Sequence, residues 1–398
     1  MGLENTKLLT INGGSSSIKF AVYATGEEPE RSLVGKIERI GSDGTVFSTK
    51  TDKDERNTQQ ISAANFSEAA RFLIEWLEKQ SFFNEVRCIG HRIVHGLKHT
   101  HAEIISDELL DDLQKISPYD PDHLPAEIEM VRMFKDKHKD ILQVACFDTA
   151  FHTTMPQVAK ILPIPRRFYD AGVQRYGFHG LSYSYLIEKL AELDAKAAKG
   201  RVILAHLGSG ASIAAVKDGK SIDTSMSFTP VGGLVMGTRT GDLDPGVAWY
   251  MMQSGDLTPE QFSHVINHES GLLGVSETSS DMQDLLKTES ADTRAAEALN
   301  LFCYTVKKWI GSFTAALGGL DTLVFSGGVG ENAAIIRARI CEEMGYAGIV
   351  LDEEQNNANA PVISTATSNV VVRVIPTNEE LMIAKITAGI YKQHKPQS

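Results

Sequence analysis

Three segments place glycines directly after an apolar run: Gly13–Ser17 in "LLTINGGSSSIKF", Gly208–Ser212 in "HLGSGAS", and Ser326–Asn332 in "SGGVGEN". Where no Cβ blocks the approach, successive backbone N–H groups can converge on an anion, so phosphate binding is the chemistry these segments suit. One such cluster is more often a plain turn. Three of them, each closing a strand-like run, favour phosphate cradles. Arg92 in "GHRIVHG" and Arg239 in "GTRTGDLDPG" add guanidinium forks that match carboxylate or phosphoryl oxygens, although Asp242 and Asp244 offer Arg239 a simple ion pair instead. Asn12 closes the first apolar run and offers either an amide oxygen for a cation or an Asx turn. Lys19 is either a point charge for phosphate or a surface lysine. Asp148 follows "ILQVACF", where a carboxylate is costly unless it is paired, capping or functional. His179, between Phe178 and Gly180, reads on spacing alone as a structural histidine. His91, His95, His99 and His101 form a dense run without a partner carboxylate motif, so a zinc site is not expected. The patterns of a P-loop, a Rossmann dinucleotide site and a protein kinase are all absent.

The elements that must hold these residues alternate along the chain. "RCIG", "ILQVACF", "RVILAHL", "TLVFS" and "VVVRVI" read as buried strands. "NFSEAARFLIEWLEK" puts Phe66, Ala69, Leu73, Trp76 and Leu77 on one helical face, and Asn65 with Glu68 resembles a capping box. In "RAAEALNLFCYTVKKWIGSFTAAL" Leu299, Phe302, Val306, Trp309, Ile310, Phe313 and Leu317 keep the helical period. The alternation predicts an α/β protein with partly parallel sheets. "TDKDERNTQQ" reads as a polar surface loop, and the "KQHKPQS" tail is expected to fray. "INGGSSSIKFAV" and "HLGSGASIAAV" share G-x-x-x-S-I between two strands, which suggests two related domains with one glycine-rich hairpin each.

With 398 residues, 42% of them apolar and 23% charged, the chain suits about two globular domains. Its net charge of −12 argues against nucleic acid as a partner. The cysteines Cys88, Cys146, Cys303 and Cys341 lack C-x-x-C spacing, and three sit in apolar runs, as buried thiols in a reducing compartment would. Neither a secretory signal nor a membrane-spanning run is evident, so a cytoplasmic enzyme without membrane partners is expected. The residues alone therefore describe a two-domain enzyme that binds phosphates through backbone loops, a divalent metal and arginines: a phosphoryl transferase or a nucleotide-driven switch.

Taken together, "INGGSSSIK", "GHRIVHG", "FDTAFH", "RYGFHG", "HLGSGAS", "MGTRTGDLDPG", "SGGVGEN" and "PTNEEL", in this order from residue 11 to residue 381, resemble the acetate and propionate kinase family of the sugar kinase, Hsp70 and actin superfamily. The resemblance implies two ribonuclease-H-like (actin-like ATPase) domains with an interdomain active-site cleft. The first would span 1–149 and 377–398, and the nucleotide-binding one 150–376. It implies Mg²⁺-dependent transfer, with Mn²⁺ as a substitute, between ATP and acetate or another short-chain carboxylate, usually in a homodimer. Carried over residue by residue, Asn12 and Glu379 would help hold the metal, and Ser15, Ser17 and Lys19 would serve the phosphate loop. Arg92 and Arg239 would grip the carboxylate and the moving phosphoryl group, and His179 would stabilise its equatorial oxygens. Asp148 would be the family's acid/base; an acceptor carboxylate is already ionised at neutral pH, its pKa being about 4 to 5, so orienting metal-bound water and positioning the arginines suits Asp148 better. His206, Leu207, Gly208, Ser209, Gly210, Asp281, Met282, Gln283, Gly328, Val329, Gly330, Glu331 and Asn332 would contact the nucleotide. Val94, Phe178 and Pro230 would wall the acyl pocket.

Three positions depart from the family pattern. Ser209 replaces the usual asparagine and Gln283 the usual arginine, each removing a planar donor group from an expected nucleotide contact. Tyr119 in "ISPYDPDHLPAEI" stands where a smaller aliphatic residue is usual. A propionate or other short-chain acyl kinase, or a variant using GTP or pyrophosphate, therefore stands beside the acetate reading. An ATP-gated chaperone-like switch is the alternative from another class, with no need for Arg92, Arg239 and His179 together.

Overall fold

The computed structural model describes residues 6–14, 17–26, 28–41 and 44–394. Ser15 and the tail residues 395–398, on which two of the expectations above fall, lie outside them. The chain divides into two compact units, Met1–Ala150 with Asn378–Ser398, and Phe151–Thr377.

The first unit contains β1 (Lys7–Gly13), β2 (Ser17–Ala24), β3 (Glu30–Glu38), β4 (Val46–Thr51), β5 (Arg56–Gln60), β6 (Val86–Ile93), β7 (Glu103–Ile104) and β8 (Leu142–Phe147) in one sheet of order β5-β4-β3-β2-β1-β6-β8-β7. β1, β2 and β3 pair antiparallel, whereas β1, β6 and β8 run parallel. The second unit contains β9 (Arg201–Leu207), β10 (Ala211–Lys217), β11 (Lys220–Thr224), β12 (Thr322–Ser326) and β13 (Val371–Val374), ordered β11-β10-β9-β12-β13. Here too the first three strands are antiparallel, and β9, β12 and β13 parallel. Both sheets therefore carry the same five-strand order of a ribonuclease-H-like domain, as the repeated hairpin sequence leads one to expect.

The period-2 alternation of side chains explains why these strands are buried throughout. Leu9, Ile11, Phe20 and Val22 face the helix Phe66–Glu78, which buries Ala69, Ala70, Leu73, Ile74 and Leu77. Their neighbours Leu8, Ala21 and Tyr23, with Cys88, face Ala384, Ala388 and Tyr391 of the C-terminal helix Glu379–His394. In the second unit Tyr183, Leu186 and Leu190 of the helix Gly180–Leu193 cover Val202, Leu204 and Val324. The helix Thr293–Leu317 buries all the apolar positions expected of it except Trp309, which is half-buried.

Local expectations needed correction in three places. Half of "TDKDERNTQQ" is not a loop but the edge strand β5, exposed at every residue. A strand wet on both faces carries no apolar alternation and is held by backbone pairing to β4 alone. "SGGVGEN" is not a turn, because Gly327–Asn332 forms a short helix. Gly327 makes this entry with φ +75°, and a Cβ there would lie 2.6 Å from Leu207 O. The cap of Phe66–Glu78 is also not reciprocal: Asn65 accepts the Glu68 N–H at 3.0 Å, but the Glu68 carboxylate accepts from Ala64 N at 2.9 Å. All four cysteines are buried and free, and burial pushes the Cys146 thiol up to about 12. Among the described residues no helix is long and apolar enough to cross a membrane.

The C-terminal helix approaches β6 closely enough to require a glycine. A Cβ at Gly90 would lie 2.1 Å from Thr387 Oγ1 and 2.6 Å from Ile383 Cγ2. This contact anchors the helix that opens with Glu379 to the strand that carries Arg92. Gly90→Ala is expected to destabilise the protein by about 1–3 kcal/mol through overpacking. The midpoint of urea unfolding measures this, and an unchanged midpoint contradicts the packing account.

Candidate active site

In the first unit the sheet register brings four predicted residues together. Arg92 lies one residue before the end of β6, and Asp148 follows the end of the adjacent β8. Their side chains form an ion pair, Nη2 to Oδ2 at 2.7 Å and Nε to Oδ2 at 3.2 Å. Asp148 is fully buried and Arg92 only 13% exposed. Burial opposes the guanidinium's charge, but Asp148 first, and then Glu379, outweigh it and raise the Arg92 pKa. The Arg92 Nη1 reaches across to β1, donating to Gly13 O at 3.3 Å and Asn12 Oδ1 at 3.5 Å. Asn12 in turn donates Nδ2–H to Glu379 Oε2 at 3.0 Å.

Asn12 and Glu379 thus stand side by side with one amide oxygen and one carboxylate. Among the described residues no group of three or more His, Cys, Asp or Glu is arranged to hold a metal ion. So sparse a set of hard oxygen donors fits Mg²⁺, which keeps several waters and takes its other ligands from phosphates, and does not fit zinc. The glycine-rich hairpin next to it closes with Gly14 N donating to Ser17 O at 2.8 Å. Lys19 is exposed on β2, paired in register with Asn12. Val94, buried, continues from β6, and Tyr119 is 47% exposed in the turn Ser117–Tyr119.

The second unit assembles its own cluster where the parallel strands β9 and β12 end. Gly208, Ser209 and Gly210 turn β9 into β10, and Gly208 N donates to Gly210 O at 3.0 Å. A Cβ on Gly208 would lie 3.9 Å from Gly328 N, so this turn abuts the Gly327–Asn332 helix that carries Val329, Gly330 and Glu331. Glu331 Oε1 accepts from Gly327 N at 2.9 Å and Thr377 N at 3.1 Å, and Asn332 Nδ2 donates to Gly328 O. His179 holds the left-handed conformation (φ +59°) that opens the helix Gly180–Leu193. Its Nδ1 bonds Ser212 Oγ at 2.8 Å, and its ring stacks on His206 at 4.4 Å. His206 is fixed by Ser182 Oγ at 2.8 Å. A Cβ on Gly210 would sit 3.5 Å from His179 Nε2 and 3.9 Å from Arg239 Nη1, so these two side chains converge on the space beside the glycine turn. Arg239 Nη1 donates to Pro230 O at 3.4 Å. Asp242 and Asp244 accept the backbone N–H groups of Gly233 and Gly246. Phe178 and Pro230 are buried. Asp281 caps the helix Met282–Thr288 through Gln283 N at 2.7 Å; Met282 is buried and Gln283 exposed.

Two charged residues that sequence reasoning passed over are built into these clusters. Glu127, 4% exposed, accepts the Val94 N–H at 2.9 Å. Arg337, fully buried, donates to Gly330 O, Glu331 O, Asn356 O and Oδ1, and Asn359 Oδ1 at 2.6–3.0 Å, tying down the Gly327–Asn332 helix. The signal was periodicity: Glu127 shares a helical face with buried Leu124, Ile128 and Val131, as Arg337 does with Ile340 and Cys341.

The family model described as the acetokinase family matches residues 7–385. The acetate kinase of Methylocella silvestris is 42% identical over 97% of this chain and 98% of its own length. The crystal structure of Porphyromonas gingivalis acetate kinase aligns with a TM-score of 0.86 at 37% identity, covering 97% of this chain and all of that one. That of a propionate kinase from Francisella tularensis aligns with 0.89 at 34% identity and the same coverage.

Removing the Arg337 fork orphans several buried carbonyls. Arg337→Ala is expected to cost about 2–4 kcal/mol in urea unfolding and to weaken ATP binding measured by calorimetry. A cost below about 0.5 kcal/mol, the level of an ordinary surface change, contradicts the bracing role.

Proposed function

The chain belongs to the acetokinase family, and from that premise we propose that it reversibly transfers the terminal phosphoryl group of ATP to acetate, giving acetyl phosphate and ADP. The observation that carries the reading is the largely buried Arg92 guanidinium, held by Asp148 beside Asn12 and Glu379. An acceptor carboxylate has a pKa of about 4 to 5, so it arrives ionised and needs no base. Asp148 accordingly aims Arg92 and does not take a proton. Phosphoryl transfer asks for alignment and charge neutralisation. Arg92 and Arg239 supply both to the two anionic reactants, against a chain whose net charge of −12 repels them. Lys19, Ser15 and Ser17 bind phosphate oxygens. His179, oriented by Ser212 through Nδ1, turns Nε2 to the group in flight.

Asn12 and Glu379 would hold Mg²⁺, or Mn²⁺ in its place. When bound, the ion neutralises polyphosphate charge. The turn His206–Gly210, Asp281–Gln283 and Gly328–Asn332 bind the nucleotide, and Val94, Phe178 and Pro230 form the apolar wall for the methyl group. Four buried thiols support a cytoplasmic setting. Leu243, Val247, Trp249 and Tyr250, on and before the helix Pro245–Ser254, expose apolar surface that supports a homodimer.

The similarity to a propionate kinase favours a second reading in which propionate is the better acceptor. One methylene is worth only about 1–3 kcal/mol of discrimination. A hydroxamate assay for acyl phosphate, with acetate, propionate and butyrate against ATP, GTP and pyrophosphate, decides acceptor and donor. Acetate with ATP is expected to give the highest kcat/KM. Arg92→Ala and Arg239→Ala are each expected to lower kcat by about two to three orders of magnitude; Arg239→Ala leaves the unfolding midpoint unchanged, whereas Arg92→Ala strands the buried Asp148 carboxylate and lowers it. ATP hydrolysis without acyl phosphate, or near-normal turnover in either variant, contradicts the proposal.

A further inference from the structure

Glu127 occupies the first turn of the helix Leu124–Lys137, but its side chain turns inward beneath the first unit's cluster. Oε2 accepts the Val94 N–H at 2.9 Å, two residues beyond Arg92. Among the described residues Oε1, which is buried, has no hydrogen-bond partner. A Cβ on Gly13, whose carbonyl accepts from Arg92, would lie 3.9 Å from Glu127 Cγ. This carboxyl therefore touches the end of β6 and lies under the phosphate hairpin of β1. It belongs to neither the metal pair nor the Arg92–Asp148 ion pair.

The charged groups facing it are Arg92 and Asp148 from the sheet, and Asp120 from the turn before its own helix. Asp120 is itself bonded to His123 at 2.8 Å. Arg92 already faces Asp148 and Glu379. An ionised Glu127 would add a third negative charge around one guanidinium, before any anionic substrate arrives. Burial first, then the neighbouring Asp120 and Asp148, push the Glu127 carboxyl up to about 8, against the pull of Arg92 and the Val94 N–H.

We propose that Glu127 is a positioning residue for the acyl substrate: as a neutral carboxylic acid it clamps the Val94 backbone beside Arg92 and leaves the guanidinium's charge to the incoming carboxylate. The inference rests on the proposed acyl kinase reading. With Oε2 accepting from Val94, the proton sits on Oε1, so the acid presents a donor and no charge. Above about pH 8 the carboxyl ionises, Arg92 is over-neutralised, and the acceptor carboxylate binds less well. ATP, bound through other groups, is little affected.

The test is steady-state kinetics of the full-length wild type, Glu127→Gln and Glu127→Ala at saturating Mg²⁺ between about pH 7 and pH 9.5. In the wild type the KM for the carboxylate is expected to rise about tenfold over this range while the KM for ATP changes less than about twofold. Glu127→Gln keeps an acceptor for Val94 N–H and cannot ionise, so its carboxylate KM stays flat. Glu127→Ala loses the clamp, and its carboxylate KM at pH 7 is expected to rise about tenfold, selectively. If Glu127→Ala does not fold, the Glu127→Gln profile decides alone. An active wild type whose KM rise persists in Glu127→Gln overturns this inference and leaves the function standing. A wild type inert toward every carboxylate overturns both.

Discussion

A guanidinium with most of its surface removed from water is costly unless its charge is compensated, and Arg92 has Asp148 at 2.7 Å. Removing one partner of such a pair leaves a buried charge uncompensated, at a cost of about 3–5 kcal/mol. The pair therefore constrains its surroundings. It needs β6 and β8 adjacent and parallel, in a register that ends both strands at one level. Arg92 Nη1 then bonds to Gly13 O and Asn12 Oδ1, which fixes β1 on the other side. Glu379 completes the set from a helix that returns more than 200 residues later, seated by the absence of a side chain at Gly90. Arg92, Asn12, Glu379 and the glycine-rich hairpin are thus set by one largely buried electrostatic contact and the sheet geometry that satisfies it.

The second unit applies the same scaffold to other chemistry. Its five-strand order repeats that of the first, and a glycine turn again follows the opening strand. There the turn is braced by polar side chains: Ser212 on His179, Ser182 on His206, and Arg337 beneath the adjoining helix. Here the braces are hydrogen bonds that involve two hydroxyls and one guanidinium rather than an ion pair. A fixed set of donors of this kind stabilises a transition state without reorganisation at the moment of reaction.

How much was legible in the sequence follows from what each signal encodes. Strands buried on both faces announce themselves as continuous apolar runs, so "ILQVACF" and "RVILAHL" were readable, whereas the fully exposed β5 offered nothing to read. The glycine-rich turns were visible, but "SGGVGEN" hid a helix, because Gly327 alone sets the backbone that starts it. Asp148 stood out as a charge ending a buried strand, and its partner Arg92 as a charge beside another. Their pairing depends on strand order, which pattern does not carry. Glu127 and Arg337 were missed because in the sequence they resemble the half-buried Glu129 and Arg339 nearby until burial tells them apart. That His179 lies beside Gly210 and Arg239 shows only in three dimensions.

The claim on which the rest depends is that Arg92, still bound to Asp148, has charge and donor capacity left for a carboxylate. The most direct measurement is the ¹⁵N spectrum of arginine side chains in the full-length protein, with Arg92 assigned by substitution, during a titration with acetate in the presence of Mg²⁺ and ADP. The Arg92 Nε and Nη signals should shift in a saturable manner and stay protonated throughout, with Nε keeping the signature of its bond to Asp148. Saturable acetate binding that leaves the Arg92 signals unmoved contradicts the account.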